Sequence, residues 1–124
     1  MIKNKIQTQP ENHYNTFLFF FKLQTMHQFS IHTQNDELLG FLIMLADDEY
    51  SPQSGQLAIK LSSPVSSAAQ PLEAWANESL LKWRITQDKI SVYDYEDTLM
   101  GFIKQEWLII NGKHFLLNDL STAL

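Results

Sequence analysis

Histidine, carboxylate and aromatic side chains are the groups here that could do chemistry, and their spacing decides what kind. His13, His27, His32 and His114 could move protons near neutral pH, but none stands in the His-x-x-x-His or Glu-x-x-His spacing of a zinc site. His32, on a stretch that alternates apolar and polar residues, reads as a half-exposed strand residue. Acidic residues cluster at Asp47-Asp48-Glu49 and at Asp94 to Asp97, with Glu96 between them. Neither cluster has the Asp-x-Asn-x-Asp-Gly spacing of a calcium loop, and Asp at a turn caps backbone amides for local reasons. With no cysteine and four glycines, a thiol nucleophile, a thiolate metal site and a glycine-rich phosphate cradle are excluded. Ser62, Ser63, Ser66 and Ser67 sit in linker sequence and do not form a nucleophile motif. No cofactor and no metal are expected.

Aromatic residues point to binding. Tyr93 and Tyr95 fall on one side of their stretch with Phe102 expected nearby, and Trp75, Trp83 and Trp107 add bulk to a small chain. Most of these read as core. Tyr95 and Tyr50, set in polar turns, read as exposed, and Tyr and Trp are the residues that dominate interaction hot spots. Tyr93, Tyr95, Glu96, Asp97, Asp47, Asp48 and Tyr50 are therefore the candidate binding residues.

The formal net charge of −5 disfavours nucleic acid, because the nine Lys and Arg residues are scattered and form no basic patch. Lys3 and Lys5 ahead of the apolar run from Phe17 to Phe21 resemble a truncated secretory signal, but Lys22 interrupts the run and no small-x-small site follows. The run is also far short of the roughly 20 apolar residues of a membrane span. A buried strand from Thr16 to Leu23 is preferred, and a cytoplasmic location with no membrane partner is the expectation.

The positioning elements come from an internal duplication. Phe29 to Leu42 matches Ile90 to Ile103 without a gap at an offset of 61 residues, so that Ser30, Asp36, Leu38, Gly40 and Phe41 fall on Ser91, Asp97, Leu99, Gly101 and Phe102. Each copy reads as a hairpin, with Ile31 opposite Gly40 and Val92 opposite Gly101. A glycine there marks either a close approach of other backbone, a bulge or a coil of the sheet, or simply the end of a turn. Gln56 to Leu61 reads as a strand and Ser62 to Gln70 as a linker. Pro71 to about Trp83 reads as the one helix, with Leu72, Trp75, Ala76, Ser79, Leu80 and Trp83 on one face. Strands are then expected from Trp83 to Thr86, Lys89 to Asp94 and Thr98 to Ile110. Asn111-Gly112 supplies the two positive φ angles of a tight hairpin turn, which pairs Leu108 with Phe115 and Trp107 with Leu116.

The expected fold is mainly β (α+β): a duplicated antiparallel meander of about eight strands, closed as a barrel or a two-layer sheet, with one connecting helix near residues 71–83 across an opening. Residues 1–15 form a loose arm, and 16–124 form one domain with related halves at 16–62 and 80–118. Val92-x-Asp94 followed by Leu99-x-Gly101-x-Ile103 resembles the repeated hairpins of tubby-like and LURP-one-related β-barrels, which implies a barrel enclosing a helix; no site or activity carries over.

With no catalytic constellation, the expected function is a small acidic, non-catalytic protein-binding module, for example an inhibitor, immunity or anti-defence protein acting on a basic partner. The alternative is a small-ligand carrier or minor enzyme with an apolar pocket inside the β-structure and His32 or His114 as its polar group. A homodimer built on an edge strand near Thr16 is a third reading.

Overall fold

Each copy of the duplicated stretch folds as an antiparallel hairpin, and these hairpins set the register of everything else. In a computed structural model describing residues 26–48, 53–78 and 81–120, the strands are β1 Met26–His32, β2 Leu38–Ala46, β3 Ser54–Leu61, β4 Leu81–Thr86, β5 Lys89–Tyr93, β6 Leu99–Lys104, β7 Trp107–Ile110 and β8 Lys113–Asp119. Every strand pairs antiparallel with its neighbour in sequence, and β1 pairs with β8 to close the barrel. The barrel alternative is thus the one adopted. Closure leaves no unpaired edge among these strands, which removes the usual route to edge-to-edge association. The expected strand from Thr16 to Leu23 and the arm at 1–15 lie outside the described residues.

Ile31 stands opposite Gly40 and Val92 opposite Gly101, as the pattern implies, and each strand register shifts one step later, at Ile31/His32 and at Val92/Tyr93. Both glycines also mark a close approach. A Cβ on Gly40 would lie 2.4 Å from the Lys60 carbonyl oxygen, and one on Gly101 would lie 2.5 Å from that of Ile109. The repeated glycine thus lets the hairpin coil against the next strand. The Asn111-Gly112 turn has φ values of 51° and 79°, and it pairs Leu108 with Phe115 and Trp107 with Leu116.

Two expectations need correction. The helix, α1, runs Gln70–Ala76 after a single 3-10 turn at Ser67–Ala69, and it ends where the Asn77 N–H donates to the Glu73 carbonyl and the Glu78 N–H to that of Trp75. Trp83 therefore lies on β4, where strand alternation buries it beside Leu81, and not on the helix. An apolar spacing that suits a helix also suited a strand entered after a break. The stretch expected as one strand from Thr98 to Ile110 is two, β6 and β7, joined by a tight turn in which Gln105 takes a φ of 58°. Neither Gln105 nor Glu106 is a turn-forming residue type, so the break carries no sequence signal.

Inward side chains fill the barrel. Phe29, Ile31, Leu42, Met44, Leu57, Ile90, Val92, Ile103, Leu108 and Leu117 are all buried, and each such side chain stabilises by about 1.5–3 kcal/mol. The helix crosses the end that holds the β1–β2, β5–β6 and β7–β8 turns, here the upper end. Its Leu72 and Trp75 are buried, and the Trp75 ring reaches Gly101 on β6, across the opening from β3 to which α1 is joined. The helix therefore stoppers one mouth, whereas the tubby-like resemblance implied a helix enclosed along the barrel. At the lower end Trp83 donates its Nε1 hydrogen to the carbonyls of Leu45 and Gln56, at 3.1 and 3.0 Å, over the gap left by Gly55. No helix of the described residues is long and apolar enough to cross a membrane.

Candidate functional site

The β5–β6 turn at the upper end holds three of the seven candidate residues, Tyr95, Glu96 and Asp97, with Tyr93 next to it as the last residue of β5, and its shape is set by Asp94 and Asp97. Asp94 accepts hydrogen bonds from the backbone N–H groups of Glu96 (2.8 Å) and Thr98 (2.9 Å) on one side-chain oxygen, and its own N–H donates to the Thr98 carbonyl. Asp97 takes the left-handed conformation, with φ of 66°, and donates its N–H to the Asp94 carbonyl. The β1–β2 turn has the same construction. Thr33 Oγ1 accepts from Asn35 and Glu37, and Asp36 is left-handed with φ of 72°. Asp36 and Asp97 are identical in the two copies because each turn needs a residue that tolerates that backbone.

Side chains around the turn are held in place. Lys82 pairs with Asp97, and this ammonium holds the Asp97 carboxyl below the usual aspartate range, first by its hydrogen bond and then by its charge. Arg84 lies 4.2 Å over the ring of Tyr93, which is half-buried at the end of β5. Tyr95 at the tip of the turn is 69% exposed, Glu96 beside it is exposed, and Leu99 just beyond is 59% exposed. Phe102 sits lower on β6 opposite Ser91, with Lys89 Nζ 4.5 Å above its ring.

Asp47 and Asp48 are not part of this cluster. They follow β2 at the lower end, where Asp47 accepts a 3.0 Å hydrogen bond from Ser54, so the barrel length separates them from Tyr93, Tyr95, Glu96 and Asp97. Tyr50 lies outside the described residues.

His27 was not singled out as a site by sequence reasoning, whereas His32, expected with His114 as the polar group of a pocket inside the β-structure, lies on the outer face, and His114 is exposed. His27 is fully buried inside the lower end, and its Nε2 lies 2.7 Å from a side-chain oxygen of Asp119 on β8, with the Phe29 ring 4.9 Å away. The inward phase of His27 on β1 was readable from the alternation of Phe29 and Ile31, but its partner 92 residues away was not. On the outer face Ser30 Oγ lies 2.8 Å from His32 Nε2, and His32 Nδ1 lies 3.3 Å from Asp36. This is the order of a serine-hydrolase relay. Ser30, however, is only 6% exposed, and its counterpart Ser91 bonds Thr86 with no histidine involved, so the arrangement ties β1 to its turn.

His114 is exposed, with its ring edge-on to Trp107 at 6.0 Å. It borders a cleft of about 690 Å³ on the outside of the upper end, between the β1–β2 turn, the start of the helical connection and the β7–β8 turn. Among the described residues no group of three or more His, Asp or Glu side chains is placed to hold a metal ion.

These features define a closed eight-stranded meander barrel with a helical stopper and a rigid tyrosine-bearing turn. The chain belongs to the family described as HLGFF-containing, Neisseriales, whose model matches residues 26–124. Within that span the chain carries Leu-Gly-Phe at 39–41 and Met-Gly-Phe at 100–102, the two segments that contain the close-approach glycines. No curated protein and no solved structure matches it.

Proposed function

We propose that this chain is a non-catalytic protein-binding module that engages its partner through the β5–β6 turn. The observation that carries this reading is Tyr95, a large aromatic side chain 69% exposed on a turn braced by Asp94 and by the Lys82–Asp97 pair. The turn itself does not call for an aromatic, since the equally built β1–β2 turn has Gln34 at the matching position. An aromatic anchor on a pre-organised support loses little entropy on binding and is the usual centre of a hot spot. Leu99 extends the apolar contact. Glu96 adds an acid, so the fitting partner presents an apolar pocket next to a basic group. The packed barrel interior supports a surface function over an internal apolar pocket. An inhibitor, immunity or anti-defence protein is one concrete form of such a module.

The test is capture from a lysate on the immobilised full chain at low and high salt, followed by titration of the purified partner against wild type and Tyr95→Ala. Loss of about 2 kcal/mol of binding, roughly thirtyfold in dissociation constant, is expected for Tyr95→Ala. A partner indifferent to Tyr95→Ala overturns the reading. A second reading rests on the cleft beside His114. If no protein is retained while a small polar molecule raises the melting temperature of wild type but not of His114→Ala, the chain is a small-ligand binder.

A further inference from the structure

The cleft beside His114 is walled by three separate loops, and most of its polar side chains are ones that the fold does not call for. Gln34 and Asn35 come from the β1–β2 turn, Gln70 from the start of α1, Asn111 from the β7–β8 turn, and Lys113 and His114 from the start of β8. Ala68, Pro71 and Phe115 give the cleft an apolar side. The β5–β6 turn, built in the same way, has Tyr95 and Glu96 where the β1–β2 turn has Gln34 and Asn35, so neither amide is needed to make the turn. Asn111 alone has a local duty, the left-handed backbone of its turn.

The charge of the cleft is opposite to that of the chain. The sequence has 14 Asp and Glu against nine Lys and Arg, yet among the described residues no carboxylate lines the cleft. Asp36 and Glu37 share a turn with Gln34 and Asn35 but do not line it, and the Asp36 carboxylate lies 3.3 Å from His32 Nδ1 on the outer face. Lys82 and Lys104 pair with aspartates, and Arg84 and Lys89 lie over aromatic rings. Lys113 has no such partner among the described residues. It keeps the inward phase of Phe115 and Leu117, but it stands at the rim, where the helical connection already covers the mouth, and so it is exposed beside that connection. His114 Nδ1 lies 3.3 Å from the Gly112 carbonyl oxygen. As an imidazolium donating there, the ring keeps a second N–H, at Nε2, for an outside acceptor.

We infer that this cleft binds a small polyol carrying one anionic group, an acidic sugar or a sugar phosphate. Lys113 and His114 take the anion through charge-assisted hydrogen bonds. The carboxamides of Gln34, Asn35 and Gln70 each offer donors and an acceptor, which is what hydroxyl groups require. Ala68 and Pro71 receive the C–H face of the ring. The volume of about 690 Å³ falls within the range of roughly 300–1,000 Å³ found for small-molecule sites. Because the cleft lies on the outside of the barrel and leaves its ligand partly in water, the dissociation constant is about 1 mM. The inference rests on the second reading above, for which it names the ligand class, and the Tyr95 turn takes no part in it.

Backbone amide shifts of the isotope-labelled full chain test it, with glucose-6-phosphate, glucuronate, glucose and inorganic phosphate each added to about 30 mM, well above that constant. Both anionic sugars are expected to give saturable shifts at Gln34, Asn35, Gln70 and from Asn111 to Phe115, smaller at high salt. Glucose and inorganic phosphate are expected to bind about tenfold more weakly, and Lys113→Gln to weaken the anionic sugars by about tenfold. Gln34→Tyr with Asn35→Glu, the pair that the other turn already carries, should weaken them further with the shifts of β4 and β5 unchanged, whereas Tyr95→Ala should change nothing. Absence of saturable shifts at these loops overturns the inference, as does unchanged affinity in Lys113→Gln; the melting-temperature test of the cleft reading stands apart from both. Glucose binding as tightly as glucose-6-phosphate overturns the anionic class and leaves the cleft a ligand site. Inorganic phosphate binding as tightly as the sugars shows an adventitious ion only and overturns the polyol.

Discussion

The Trp75 ring lies against Gly101, and a Cβ added there would stand 2.9 Å from the Trp75 Cζ2 atom as well as 2.5 Å from the Ile109 carbonyl oxygen. Helix and sheet are seated on one another through the absence of a side chain. Gly101→Ala must therefore displace either the stopper helix or the β6–β7 pairing, and we expect a loss of about 2–3 kcal/mol. Gly112→Ala is the contrast. Its site is open but has a φ of 79°, so the loss should be about 1 kcal/mol, from backbone strain alone. Urea denaturation of the two variants checks the difference.

Trp83 closes the lower end by donating one N–H to two carbonyls, those of Leu45 on β2 and Gln56 on β3. Trp83→Phe keeps most of the apolar bulk and removes the donor. The expected cost is about 1–2 kcal/mol, with a share from the two part-buried carbonyls that lose the indole donor. A midpoint shift much smaller than this in chemical denaturation would show that water replaces the indole.

The His27–Asp119 contact joins the first described strand to the last where the barrel closes, beside the Leu120 N–H that donates to the Gln28 carbonyl. Asp119→Ala is expected to cost about 2 kcal/mol, because His27 is fully buried and loses its carboxylate. It should also speed hydrogen exchange at Leu120 and along β1 more than at β4 or β5. Uniform acceleration across the barrel would contradict this local role.

The Lys82–Asp97 pair has a defined pH signature. The Asp97 pKa is lower in the folded protein than its ordinary 3.8, so the unfolded chain binds the proton more readily. The stabilisation is complete above the unfolded value and is lost as pH falls through the depressed folded value. Lys82→Met should bring the Asp97 carboxyl midpoint back up towards 3.8, read by carbon NMR. Asp88, lowered by Lys104 at 3.1 Å, should not move in that variant and serves as its control.

Local signals in the sequence determined the hairpins. The spacing from Ile31 to Gly40 and from Val92 to Gly101, and the Asn111-Gly112 pair, set strand register because a turn of known length leaves one way to keep apolar side chains on one face. The exposed tyrosine at position 95 was legible for the same reason, since it sits in a polar turn. Only the tertiary structure decided the rest. A turn at Gln105-Glu106 exists because Phe102 pairs with Ile109 and Ile103 with Leu108, a requirement of the barrel and not of those two residues. The helix stops at Ala76 because Trp83 gains more from burial on a strand paired on both sides. The acidic candidates were split between opposite ends of the barrel by strand direction, and His27 met Asp119 through closure of β1 on β8. Those are long-range events, and local composition has no means of recording which distant strand will complete a residue's surroundings.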